Sequence, residues 1–150
     1  MEDGHTFAAM IARMTIPAAF ALVLVATGCG KSKVDQCNAF VEKANAGQTV
    51  LNGLDLSTED GKKLEDAASK VDAEAKAVGG VDLKDAKLVE LRDKYAANLT
   101  KLAGNVRSLA KLYVGKASPE EAKKIEADAE KIEKDESKLV DEVNTYCSAH

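Results

Sequence analysis

The chain predicts an all-α fold: an up-down-up-down antiparallel four-helix bundle whose third and fourth helices are the longer pair, following a cleaved signal peptide. Three observations carry this. Beyond its first thirty residues the sequence is rich in Ala, Glu, Lys and Leu and has no Trp, a helical composition with an aliphatic core. Apolar residues recur at steps of three and four through four separate segments. The segments are joined by short connections, which favour antiparallel neighbours.

The first helix is expected over about residues 34–52. Val34, Cys37, Val41, Ala44, Gln48 and Leu51 make its stripe, widened by Phe40 and Val50. Gln48 interrupts that stripe, Gly47 weakens it, and Gly53 is placed to end the helix with a positive φ. The second helix is expected after Ser57, because Ser57-Thr58-Glu59-Asp60 resembles a capping box with Asp in the place of Glu. Its face, Leu64, Ala67, Ala68, Val71, Ala75 and Val78, is mostly small. Such a face approaches a neighbour closely and buries little area per turn. Gly79-Gly80 breaks the helix.

The third helix is expected over about 83–114. Leu88, Leu91, Tyr95, Leu99, Leu102, Val106, Leu109 and Tyr113 step by three and four in a near-heptad seam, as in a coiled coil, a pattern that packs helices at shallow angles. Asn98 and Asn105 flank that seam and are candidates for fixing its register. Gly115 ends the helix. The fourth begins at Ser118-Pro119-Glu120-Glu121: Ser caps, Pro suits the first helical position, and the acids face the positive end of the dipole. Ala122, Ile125, Ala129, Ile132, Leu139, Val143 and Tyr146 form its stripe. Glu136 stands where an apolar residue is due. It is expected at the stripe edge, its stem packed beside a lysine; the competing reading is a half-buried carboxylate with a raised pKa. Glu120–Lys124 and Glu130–Lys134 are expected ion pairs worth about 0.2–0.5 kcal/mol each. The two longer helices are expected to project beyond the others around residues 111–123.

In this topology the start of the first helix and the end of the fourth share one end of the bundle. Cys37 and Cys147 sit at those two places and are expected to form a disulfide in an exported chain. Closing that loop stabilises the fold by about 4–5 kcal/mol on the chain-entropy account. A reactive thiol pair is the alternative, but no C-x-x-C spacing or nearby His supports it.

Ile16 to Ala26 is apolar and too short to span a bilayer, which takes about 20 residues. It suits the apolar region of a secretory signal. Glu2 and Asp3 fit a signal start poorly, whereas Met10-Ile11-Ala12-Arg13 fits it better, so residues 1–9 read as an over-extended start. The segment ends in Val25-Ala26-Thr27-Gly28-Cys29, which resembles the lipobox of bacterial lipoproteins, although leucine is commoner where Ala26 stands. The resemblance covers only about the first thirty residues. It implies a lipoprotein signal peptide over 1–28, cleaved before Cys29. It also implies a lipidated Cys29 with a tether over 29–33, and a helical domain over 34–150. The partner implied is membrane lipid, reached through acylated Cys29, in the bacterial cell envelope. Gly30 after the cysteine leans toward the outer membrane, since aspartate there favours inner-membrane retention in enterobacterial relatives.

Removal of residues 1–28 leaves 20 basic and 23 acidic residues, finely interspersed. No basic block suits nucleic acid. His150 is terminal, Cys/His clusters with metal spacing are lacking, and no glycine-rich loop suits phosphate. Neither a cofactor nor enzymatic activity is expected. Two functions fit. One is a structural, scaffolding or protein-binding envelope lipoprotein, whose partner would dock on the alanine face of the second helix. The other is a carrier of a hydrophobic or lipid ligand in the bundle, with the thinly filled second-helix side as its cavity.

Overall fold

The computed structural model describes residues 32–149. The signal segment 1–28, Cys29, Gly30, Lys31 and His150 lie outside the described residues. Four helices stand in order: α1 (Lys33–Asn52), α2 (Gly61–Gly79), α3 (Ala86–Tyr113) and α4 (Pro119–Ser148). They pack as a four-helix bundle, and no strand occurs among the described residues.

Each helix starts on a side-chain cap, though not always the expected one. Ser32 caps α1 in a reciprocal capping box with Asp35, and Ser118 caps α4 likewise with Glu121. For α2 the cap is Asp60, not Ser57. Its carboxylate accepts from the backbone N–H groups of Lys62 (2.9 Å) and Lys63 (3.2 Å), while the Ser57 hydroxyl donates to Asp55 Oδ1. The preceding connection stays irregular because it lays Leu54 and Leu56 onto the core. α3 begins at Ala86 rather than near 83, since Leu83 is buried as a connection residue and Asp85 caps the helix through Leu88 N–H. Gly53 has φ −84°, not the positive value expected. α1 instead tightens at its end, with Gly53 N–H donating to Val50 O and Leu54 N–H to Leu51 O. Gly115, after α3, has a φ of +70°.

The closest pairing is α2 against α3. Ala67, Ala68 and Ala75 are buried in it, and a Cβ on Gly79 would lie 3.6 Å from that of Ala96. Small side chains let the two backbones approach. The alanine face is therefore not free for a docking partner.

The expected extension of α3 and α4 beyond both shorter helices is also corrected. A Cβ on Gly61 would meet Val114 Cγ1 at 2.8 Å and Ala110 O at 3.1 Å, so the start of α2 reaches the far end of α3. α2 is shifted along the bundle and only α1 stops short. The 53–60 connection covers the remaining distance.

Candidate functional site

Two regions concentrate polar side chains on the helical frame: the end where α1 meets α4, and the seam between α3 and α4.

At the first, Cys37 and Cys147 are joined by a disulfide with Cα atoms 5.8 Å apart. Around it lies a set of contacts the sequence did not suggest. Lys33 Nζ sits 4.2 Å from the centroid of the Tyr146 ring and donates to Ala149 O at 2.7 Å. The Tyr146 hydroxyl donates to Asp85 at 2.9 Å. Leu88 N–H, and then that phenol, hold the Asp85 carboxyl below its ordinary range. Gln36, buried in α1, accepts from Lys84 N–H and Asp85 N–H, so α1 helps to cap α3.

The α3–α4 seam is ordered by side chains that cross it. Asn98 Nδ2 donates to Ile132 O and Asn105 Nδ2 to Ile125 O, both at 3.1 Å. The two asparagines are seven residues apart, as are their acceptors, so one bond repeats at one heptad on both helices. The bonds join the two helices at the positions where the pair was expected to act on register. Glu136 is not at a stripe edge beside a lysine: it is 2% exposed, within hydrogen-bond reach of the Tyr95 hydroxyl at 3.4 Å. Its helical position points into the core, and Tyr95 supplies the polar contact that makes burial tolerable. Burial pushes its carboxyl up to about 7, with Tyr95 opposing the shift and Glu133 adding to it. Of the expected surface pairs, Glu130–Lys134 forms at 3.8 Å, whereas Lys124 reaches Asp128.

On the solvent side of this seam, Lys101 and Asp135, 3.9 Å apart, line two open hollows. One, of about 460 Å³, is bordered by Gly104, Asn105, Ser108, Asp128 and Lys131. The other, of about 260 Å³, is bordered by Lys94, Ala97, Lys138, Leu139 and Glu142. Both carry side chains of mixed charge.

Among the described residues, no group of three or more His, Cys, Asp or Glu side chains is arranged to hold a metal ion. No described helix is long and apolar enough to cross a membrane. Cys29, the expected lipidation site, and His150 lie outside the described residues. Comparison with protein-family models, curated proteins and solved structures gives no match.

Proposed function

We propose that the protein is a non-enzymatic envelope lipoprotein, held to membrane lipid through acylated Cys29, whose bundle serves as a scaffold or binding body for another envelope component. The observation that carries this reading is the run Val25-Ala26-Thr27-Gly28-Cys29 after an apolar segment of signal length. The Cys37–Cys147 disulfide supports it, because such a bond persists in an oxidising compartment. Acyl chains would supply retention that no described helix provides, at about 0.8 kcal/mol per buried methylene. Gly30 inclines the anchor to the outer membrane. With the alanine face of α2 closed against α3, the α3–α4 groove is the face offered to a partner.

The test is metabolic labelling with an alkynyl fatty acid in a bacterial host, followed by fractionation. The expected outcome is a labelled, membrane-bound product beginning at Cys29. Cys29→Ser should lose the label and leave the membrane fraction. An unlabelled product, or one whose amino end lies elsewhere, overturns the anchor.

A further inference from the structure

The seam holds a polar layer that is short of hydrogen-bond donors. Glu136, Asn98 and Tyr95 are each at most 3% exposed. Asn98 spends its amide N–H on Ile132 O, and its Oδ1 accepts from no described group. On α1, buried Gln48 gives its amide N–H to Asn52 Oδ1, and its Oε1 is likewise without a donor. Gln48 stands eleven residues after Cys37 and Glu136 eleven before Cys147, so the disulfide sets them at one level of two antiparallel helices.

The layer therefore holds two amide oxygens without a donor and a carboxyl whose one hydroxyl contact is Tyr95. Buried acceptors of this kind are costly without donors. The buried face of α2 is wholly apolar, that of α1 carries only Gln36 and Gln48 as polar groups, and that of α3 only Tyr95 and Asn98. No cationic side chain lies on any of these faces or on the buried face of α4. The titratable groups acting on Glu136 are Tyr95 from α3 and Glu133 from its own helix, and neither supplies positive charge.

We infer that Glu136 enters the folded bundle as a carboxylic acid whose O–H makes up the missing donor, and that its ionisation loosens α4 from α3. The seam is thus a proton-linked joint, firm in acid and weaker in base. Its far part would yield first, because the disulfide ties the near end.

The direction follows from linkage. Glu136 keeps its proton to about pH 7 in the fold, against an ordinary value of 4.5. Stability from this group is full below about 4.5 and is lost as pH rises through about 7.

Two measurements on the full chain in detergent test the joint. Carbon-13 NMR of glutamate side-chain carboxyls, assigned by Glu136→Gln, should show one resonance titrating near pH 7. Thermal unfolding should drop by about 10 °C between pH 5 and pH 8 in the wild type. Glu136→Gln and Glu136→Leu should remove most of that drop. If Glu136→Gln does not fold, Glu136→Leu supplies both the assignment and the flat pH profile. A Glu136 carboxyl titrating in the ordinary range, or variants with an undiminished drop, overturns the inference.

Discussion

At the scale of single residues, the α3–α4 seam depends on atoms that an apolar pattern leaves out. Asn98 and Asn105 spend side-chain donors on the carbonyls of Ile132 and Ile125, which have a second lone pair beyond their helical bond. Asn105→Ala should cost about 1 kcal/mol in denaturant unfolding, and Asn98→Ala a similar amount. Lying seven residues apart on one helix, the two losses should nearly add in the double variant. Single and double variants all as stable as the wild type would show that the crossing bonds contribute nothing. These asparagines were legible because they flank a regular seam. Glu136 was legible as an anomaly but not in its outcome: its burial depends on Tyr95 standing opposite, and facing partners are set by register between helices. Gln36, Lys33 and Tyr146 gave no signal, since each gains its role from a neighbour distant in the chain.

At the scale of elements, the four helices and the cap of α4 followed from periodicity and local capping chemistry, because both depend on residues within one turn. The start of α2 did not. Ser57 and Asp60 are both good caps by type, and the cap is Asp60, after a connection that packs Leu54 and Leu56 against the core. Asp60→Ala should therefore destabilise the bundle by about 1 kcal/mol. Ser57→Ala should stay within about 0.5 kcal/mol of wild type. Chemical denaturation of the two variants separates the assignments, and the reverse order would return the cap to Ser57. The end of α1 shows the same dependence on context: Gly53 was free to turn left-handed, yet the helix closed through tightened bonds with an ordinary φ.

At the scale of the whole molecule, the bundle is unevenly held. α2 and α3 form its close-packed pair and α4 is latched to α3, whereas α1 has the fewest neighbours and carries buried acceptors without donors at Asn45 and Gln48. The disulfide is the covalent tie from α1 to the other end of the chain, beside the Lys33 contacts with Tyr146 and Ala149. Under reducing conditions α1 amides should lose hydrogen-exchange protection before those of α2 and α3, a result readable by mass spectrometry of peptides across 33–52. Uniform loss in all four helices would mean that the fold opens as one unit. The topology was legible because short connections and two cysteines near opposite chain ends agree on it. The axial shift of α2 was not, since it arises from the close approach of Gly61 to Ala110 and Val114.

The bond from Lys33 to the carbonyl of Ala149 brings the two ends of the described chain side by side. A circular permutant follows from that adjacency: a brief glycine–serine bridge could join the neighbouring ends while new ones open in the turn after α3. Any reporter fused behind Ala149 would likewise emerge beside the start of α1, whereas one inserted near Gly115 would sit at the opposite pole.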